Sequence, residues 1–397
     1  TEKAWEYCEE MHLPRMFFVN QMDDENADFE RTLAELRKEF GKAVAPVQIP
    51  FDDENGNRYI TCINADLSDA NSDVAVITAR GNWTGKTKGG LIRTVDGFKT
   101  FQRIPMPFNI GGKIAEQLHV IEKPNINAGW VAMSPDGQNI VWSVATGILL
   151  PLDMVIVSRD GGKSFKQVEV FDLADNKVHT GLLKVFSDRV NSNLFYGFGG
   201  EGQLYVSRDG GFSYQQKQPL AKAAFGSTGK ERSLFEMIVE ECNDAEVEHI
   251  IDFPKVHFGK IDTANKTEVR GVAGEQGTFY MALGQEGLWK YHYDSQEDSI
   301  TCVKLMADGD ACFRMGLGLG RPGGTYIGEP KAIYFSGVID GEYGFYRTLD
   351  ECKTYERLNK EDQMYGEVNS IDADKRVFGR FFLATGSNGV KYGEPVE

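Results

Sequence analysis

Four aspartates stand in one repeated pattern, with a serine or threonine two residues before the aspartate and another four residues after it. An aromatic residue ends each copy, and the aspartates are Asp96, Asp160, Asp209 and Asp350. An aspartate carboxylate can act as a general acid or base, or it can accept N–H hydrogen bonds inside a tight turn. Glycine, which readily adopts the positive φ of such turns, follows the aspartate in three copies. The pattern therefore predicts structural aspartates rather than catalytic ones.

These motifs, known as Asp-boxes, are spaced like one repeated structural unit. They begin at Thr94, Ser158, Ser207 and Thr348, which are 64, 49 and 141 residues apart. The interval of 141 is three times 47, and roughly 40–50 residues is the size of a propeller blade. Short apolar strands and glycine-rich turns surround the motifs. We therefore predict an all-β propeller of about seven blades over 52–397, with an acidic excursion at 222–268 that contains a short helix at 233–239.

Composition limits the partners and cofactors that we expect. The chain has 397 residues, with 43 Lys and Arg against 59 Asp and Glu, which gives a net charge of −16. Nucleic acids and anionic membranes attract basic surfaces, so we expect neither as a partner. No apolar run is long enough for a membrane-spanning helix, and the six cysteines form no Cys-x-x-Cys pair. The six histidines lack metal-ligand spacing, so we expect no metal and no cofactor.

Residues 1–51 differ in texture from the rest and are predicted to form a separate strand–helix–strand unit. Phe29, Leu33, Leu36 and Phe40 recur at the spacing of one helical face. Short apolar runs suited to strands lie on either side of this helix. The order strand, helix, strand is typical of an α/β domain, so we expect an appendage unrelated to the propeller.

The stretch 4–51 resembles the GTP-binding domain of elongation factor G and related translational GTPases. That family binds guanine with Asn-Lys-x-Asp; Asn20 and Asp23 match this motif, but Gln21 replaces its lysine. The sequence also lacks a Gly-x-x-x-x-Gly-Lys-Ser/Thr loop, whose backbone and lysine would hold the phosphates. We therefore expect no GTPase activity. A natural fusion, a recombined gene and an assembly error are all open explanations for the joining of the two pieces.

Residues 64–393 resemble the C-terminal propeller of glycoside hydrolase family 74, which comprises xyloglucanases and related β-1,4-glucan hydrolases. The stretches that carry the resemblance are 130–137, 190–197, 362–366, 377–385 and 388–393. The resemblance implies two seven-bladed propellers around a glucan cleft, each contributing one catalytic aspartate to an inverting mechanism. It also implies an extracellular protein, although the sequence shows no signal-peptide pattern and the localisation stays unknown.

Two parts that this resemblance calls for do not occur in the sequence. The N-terminal propeller with its base is missing, and so is the Gly-Asp-x-x-Gly-Phe segment that carries the acid. We therefore predict a propeller that acts on or binds xyloglucan or another β-glucan and is inactive alone. A missing N-terminal propeller is a candidate partner. The enzyme class and the catalytic residues stay unassigned, and Asp153 and Asp310 are the acidic residues to examine first if glucan is cleaved.

Aromatic rings are the residues that would bind such a glycan, because sugar rings present apolar C–H faces that stack on them. Trp83 lies in a glycine-rich stretch and is the first candidate. Trp130 and Trp142 lie within predicted strands, where a tryptophan more often belongs to the core, and they are further candidates.

Other families with Asp-boxes supply the alternative functions. Sialidases carry an Arg-Ile-Pro signature, which Arg103, Ile104 and Pro105 repeat. The sialidase arginine precedes all the boxes, whereas Arg103 follows one, so we interpret it as a solvated residue at a strand end. Noncatalytic propellers, such as sorting-receptor ectodomains and photosystem assembly factors, share only the fold. A binding or interaction module is therefore the alternative function, and a sialidase-like hydrolase is less favoured.

Overall fold

The computed structural model describes one helix and 26 strands. The described residues are 28–40, 51–52, 58–59, 62–67, 73–79, 90–97, 99–104, 126–146, 154–178, 183–199, 202–217, 268–360, 363, 368–385 and 390–394. The excursion predicted at 222–268 lies outside them except for its last residue, and the helix predicted at 233–239 lies outside them entirely.

Helix α1 (Phe29–Phe40) lies where the apolar spacing predicts a helix. Asp28 caps it, since one of its carboxylate oxygens accepts the backbone N–H of Arg31 at 2.9 Å. Leu33 is buried and Leu36 is half-buried on the apolar face. The two strands predicted beside this helix lie outside the described residues, so the strand–helix–strand unit stays a prediction.

The strands are short and rich in β-branched and aromatic residues, which suit a pleated, half-buried surface. In chain order they are β1 (Phe51–Asp52), β2 (Arg58–Tyr59), β3 (Cys62–Leu67), β4 (Ala75–Ala79), β5 (Gly90–Thr94), β6 (Gln102–Ile104), β7 (Ile126–Met133), β8 (Ile140–Thr146), β9 (Met154–Ser158), β10 (Lys166–Gln167), β11 (Glu169–Phe171), β12 (Lys184–Ser187), β13 (Phe195–Phe198), β14 (Leu204–Ser207), β15 (Ser213–Lys217), β16 (Glu268–Gly271), β17 (Thr278–Ala282), β18 (Leu288–Asp294), β19 (Ser299–Lys304), β20 (Ala311–Gly318), β21 (Ala332–Ile339), β22 (Glu342–Thr348), β23 (Glu356–Arg357), β24 (Val368–Ala373), β25 (Phe381–Thr385) and β26 (Val390–Gly393).

Apart from the small β1–β2 sheet, the described strands form six sheets, which we call blades 1 to 6. They comprise β3–β6, β7–β10, β11–β15, β16–β19, β20–β23 and β24–β26 in that order. Consecutive strands pair antiparallel within each blade, and blade 3 gains an outer strand because β11 pairs parallel with β15. A succession of small antiparallel sheets is the architecture of a β-propeller, so the prediction of an all-β propeller is confirmed.

The innermost strand of each blade borders the propeller axis. The contacts run in succession from β3 to β7, β12, β16, β20 and β24. One apolar cluster fills each of the five junctions between successive blades. From the first junction to the last, these clusters include Trp142, Tyr214, Phe279, Phe335 and Leu383, all buried. Burying one such side chain stabilises the fold by about 1.5–3 kcal/mol. Because each cluster belongs to one junction, the core is a series of separate interfaces between blades.

The prediction of about seven blades is wrong for the described chain, which has six. The error lies in the interval of 141 residues between Ser207 and Thr348. Ser207 ends β14 in blade 3 and Thr348 ends β22 in blade 5, so the interval covers two blade steps rather than three. Residues 218–267, which lie outside the described structure, made the interval long enough to suggest a third blade.

Blade 6 differs from the other five blades in its number of described strands and in the exposure of one face. It has three described strands, whereas the other blades have four or five. Phe382 pairs with Tyr392 and Ala384 pairs with Val390, so these four residues share one face of the sheet. Phe382, Val390 and Tyr392 are 42%, 48% and 67% exposed. Blade 6 therefore presents an apolar face to solvent, opposite the face that packs on blade 5.

Candidate functional site

The four aspartates of the repeated motif occupy equivalent turns. Each turn joins the last two strands of its blade, as the Asp160 turn joins β9 to β10. One oxygen of Asp160 accepts the backbone N–H groups of Lys163 and Ser164 at 3.0 and 2.9 Å, and the Ser158 hydroxyl at 2.7 Å. Its other oxygen accepts the Ser164 hydroxyl at 2.6 Å. Asp96, Asp209 and Asp350 accept the corresponding bonds in their own turns.

These hydrogen bonds stabilise the ionised carboxylates. The hydroxyl and backbone N–H of Thr100 lower the pKa of Asp96 to about 2. For Asp160, desolvation acts in the opposite direction, but the bonds from Ser164 outweigh it and lower the pKa to about 2. The pKa values of Asp209 and Asp350 are lowered in the same way. A general acid must hold a proton near the working pH, so these aspartates are unsuited to that role.

The predicted tryptophan platforms lie in three different situations. Trp142 is fully buried at the junction of blades 1 and 2, where its ring meets Phe165 edge-on at 6.5 Å. A sugar cannot stack on a ring with no accessible face, which corrects the prediction of Trp142 as a substrate-binding residue. Trp130 is half-buried against the cluster between blades 2 and 3. Trp83 lies outside the described residues.

The two acidic residues named as the first to examine for catalysis lie in different parts of the chain. Asp310 is buried in blade 5 and accepts the backbone N–H of Asp340 at 3.0 Å. This bond gives Asp310, the residue just before β20, a structural role. Asp153 lies outside the described residues. Arg103, the residue of the sialidase-like tripeptide, is half-buried in β6 opposite Ile92.

A charged cluster that the sequence did not predict lies on and beside the innermost strands of the blades. We call it the axial cluster, and its members are Asp66, Arg189, Glu268, Arg270, Arg314 and Asp372. Arg189 Nη1 lies 3.0 Å from Asp66 Oδ1, and so connects blade 3 to blade 1. The other Asp66 oxygen accepts the backbone N–H of Met133 in blade 2 at 2.7 Å. One carboxylate thus ties three blades together near the axis.

The remaining members extend the axial cluster through blades 4 to 6. Arg270 Nη1 lies 2.5 Å from Glu268 Oε1, and Arg314 Nε approaches the other Glu268 oxygen at 4.0 Å. Desolvation opposes the charge of Arg270, but Glu268 and then Asp372 outweigh it and raise the pKa of Arg270. Because these carboxylates and guanidinium groups are paired with one another, the axial cluster is suited to positioning the blades rather than to proton transfer. No sequence signal links its members, because they come from five different blades and, apart from Glu268 and Arg270 of β16, lie far apart in sequence.

Metal and membrane features are absent from the part of the chain that the structure describes. No three His, Cys, Asp or Glu side chains lie together there in a way that could hold a metal ion. No helix in that part has the length and apolar character needed to cross a membrane.

Curated relatives of the chain include xyloglucanases. One from Paenibacillus sp is 28% identical over 271 residues, which is 68% of this chain and 20% of the relative. Another, from Acetivibrio thermocellus, is 29% identical over 277 residues, which is 69% of this chain and 25% of the relative. The chain therefore spans only a fifth to a quarter of the length of these relatives. No protein-family model matches the chain.

Solved structures with the same fold include two larger enzymes. The GH74 xyloglucanase from Xanthomonas campestris superposes with a TM-score of 0.57 at 19% identity, covering 86% of this chain and 38% of that one. The GH74 enzyme from Niastella koreensis gives a TM-score of 0.55 at 17% identity, covering 87% of this chain and 43% of that one. At such identities the likeness shows the fold alone.

A short piece of the chain has a relative of another kind. An elongation factor G-like protein from Thermotoga maritima is 46% identical over 51 residues, which is 13% of this chain and 8% of that protein. This short match agrees with the resemblance of the first residues to a translational GTPase. The larger part of the chain is a β-propeller homologous to a part of these curated xyloglucanases.

Proposed function

We propose that this propeller binds xyloglucan or a related β-1,4-glucan and does not cleave it alone. The similarity to xyloglucanases over about two thirds of the chain carries this proposal. The proposed substrate is that of the xyloglucanase relatives, which are several times longer than the matched region. A neutral polysaccharide also suits a chain with a net charge of −16, because it experiences no net repulsion.

The lack of cleavage rests on the carboxylates. Inverting hydrolysis needs a protonated acid and a separate base on opposite sides of the glycosidic bond. The Gly-Asp-x-x-Gly-Phe segment expected for the acid does not occur in the sequence. The four turn aspartates are engaged by their own turns and stay ionised, and we assign them the structural role of Asp-boxes.

A second propeller polypeptide is the proposed partner for cleavage. This idea is supported by the length of the relatives, of which the chain spans a fifth to a quarter. The exposed apolar face of blade 6, with Phe382, Val390 and Tyr392, is suited to packing against another β-sheet. We further propose that residues 1–51 form a separate unit and contribute nothing to glucan binding.

Affinity electrophoresis in gels containing xyloglucan tests the proposal, with reducing ends measured in parallel. We expect retarded migration and no release of oligosaccharides. Trp83→Ala should restore normal migration if Trp83 is the stacking platform, and Trp130→Phe should weaken retardation less. Tyr392→Ala, which removes an exposed ring elsewhere, is the matched control and should migrate like the parent. Unretarded parent protein would contradict glucan binding, and released oligosaccharides at enzymatic rates would contradict inactivity.

A further inference from the structure

The aspartate turn of blade 5 departs from the others in its backbone. Glu351 and Cys352 take φ values of 57° and 68°, where the turn of blade 2 has Gly161 and Gly162 at 69° and 92°. Glycine adopts this left-handed region without cost, whereas a residue with a Cβ atom is strained there. The chain therefore keeps a glutamate at a position where glycine would relieve strain. Such positions often coincide with functional groups.

The Glu351 side chain reaches across the junction to blade 4. Its Oε1 accepts the Tyr280 hydroxyl at 2.7 Å and the Lys290 ammonium at 2.7 Å. Tyr280 and Lys290 are direct cross-strand partners on β17 and β18, so their side chains lie on one face of the blade. Two donors of blade 4 thus meet at one carboxylate of blade 5.

This group keeps unused hydrogen-bonding capacity. Oε2 of Glu351 accepts no hydrogen bond from any residue that the structure describes. The Glu351 side chain is 43% exposed and that of Lys290 is 29% exposed. A lysine ammonium has three N–H donors, and Glu351 takes one of them. An acceptor oxygen and ammonium donors therefore lie side by side at the junction, within reach of solvent.

We propose that Glu351, Lys290 and Tyr280 form a subsite for a neutral carbohydrate with adjacent hydroxyl groups. One hydroxyl donates to Oε2 of Glu351, and its neighbour accepts from the Lys290 ammonium. An anionic ligand would meet the carboxylate, and a cationic ligand would meet the ammonium, so a neutral polyol fits best. The subsite rests on the proposed function, since it gives the bound glycan a contact at the blade 4–5 junction.

The ionised state of the subsite follows from its neighbours. Desolvation opposes the charge on Glu351, but the hydrogen bonds from Lys290 and Tyr280 outweigh it and lower the pKa of this carboxyl. Glu351 is therefore an acceptor at neutral pH. The alternative role of Glu351 is a clamp between blades 4 and 5 with no ligand. The two roles differ in whether a sugar changes the environment of Lys290.

NMR of the Lys290 side chain in ¹³C-lysine-labelled full chain tests the subsite, with the signal assigned by Lys290→Arg. Cellotetraose, xyloglucan heptasaccharide and maltotetraose are titrated separately. We expect at least one sugar to shift the signal and Glu351→Gln to weaken its binding about fivefold to tenfold, because a neutral amide replaces a charged acceptor at a partly exposed site. Glu351→Gly should keep the turn and abolish the shift. Glu169→Gln, which alters a comparable exposed pair with Lys177 at 2.7 Å, should leave the affinity unchanged.

The outcomes separate the subsite from the proposed function. An unmoved Lys290 signal with all three sugars, or equal affinity for Glu351→Gln and the parent, overturns the subsite. If the parent is retarded by xyloglucan while the Lys290 signal stays fixed, glucan binding stands and only the subsite fails. If maltotetraose alone shifts the signal and xyloglucan does not retard the chain, the subsite stands and the proposed β-glucan function fails.

Discussion

Blades 3 and 6 have the same antiparallel pairing but different surroundings. Blade 3 is covered on both faces, by the cluster that contains Phe195 on one side and the cluster that contains Leu204 on the other. Blade 6 is covered on one face, through Leu383, and exposes Phe382 and Tyr392 on the other. Blade 3 also carries an aspartate turn, whereas the described strands of blade 6 end at β26 without one.

From this difference we expect a blade to owe much of its stability to its neighbours. In a stack of repeats, each unit is stabilised by its interfaces more than by its own hydrogen bonds. A blade with one interface should therefore relax more readily around a defect than a blade with two. Substitutions of the same kind in blades 3 and 6 can measure this effect directly.

The largest expected difference comes from a matched pair of leucines. Leu204 in blade 3 and Leu383 in blade 6 are 1% and 3% exposed. Leu204→Ala should lower the free energy of unfolding by about 3–4 kcal/mol, and Leu383→Ala by about 2 kcal/mol, because blade 6 can collapse around the cavity. Urea denaturation followed by fluorescence and by far-UV circular dichroism checks both values. Equal losses would show that blade 6 is as confined as blade 3.

The aspartate turn should contribute less than the core. Asp209→Ala removes the acceptor for the backbone N–H groups of Phe212 and Ser213, which lie 2.9 and 3.0 Å from it. Because the site is partly exposed, we expect a loss of about 1–2 kcal/mol in the free energy of unfolding. Asp308→Ala, at a side chain that is 99% exposed, is the control and should change stability little. A loss as small as that of the control would mean that the turn forms without its carboxylate.

The contribution of Asp209 to the stability of the folded protein should depend on pH. Hydrogen bonds from Ser213 outweigh desolvation and lower the folded-state pKa of Asp209 below its unfolded value of about 3.9. Its stabilisation is therefore complete above the unfolded pKa and declines as pH falls through the lower folded value. The difference in melting temperature between the parent and Asp209→Ala should be constant from pH 7 to about 5 and narrow below about 4. A difference in melting temperature that widens as the pH falls would contradict a lowered folded-state pKa of Asp209.

The smallest effect is expected at the exposed face of blade 6. Tyr392→Ser should change the free energy of unfolding by less than about 0.5 kcal/mol, because Tyr392 is 67% exposed. Phe195→Ser in blade 3, at a fully buried ring, is the contrasting substitution and should be strongly destabilising. Thermal denaturation of both variants provides the measurement. A marked loss for Tyr392→Ser would show that another part of the protein covers this face.

The helix and the all-β propeller could be predicted from the sequence because their determinants are local. The apolar spacing from Phe29 to Phe40 predicts a helix with those bounds. The pattern around Asp160 includes the donors that its carboxylate uses, because Ser158 and Ser164 lie within four residues of it. Short alternating strands between such turns are typical of an all-β propeller, and the sheet order agrees.

Predictions failed where residues distant in sequence decide the outcome. Trp142 looks like other strand tryptophans in the sequence, and only the packing of blade 1 on blade 2 removes it from solvent. The blade count depended on an interval between two turns, which cannot distinguish a blade from an insertion. The Glu351 contacts with Tyr280 and Lys290 span 71 and 61 residues, so no local pattern announces them.

The sequence by itself determined the helix and the all-β strands, because each depends on hydrogen bonds and side-chain spacing within a few residues. Only the tertiary structure decided how many blades stand side by side, which faces are covered and which charges meet at the axis. Arg189 and Asp66 are 123 residues apart, yet their side chains pair at 3.0 Å because β3 and β12 both border the axis. Such pairings depend on the stacking of whole blades, which is a property of the assembled propeller rather than of any one strand.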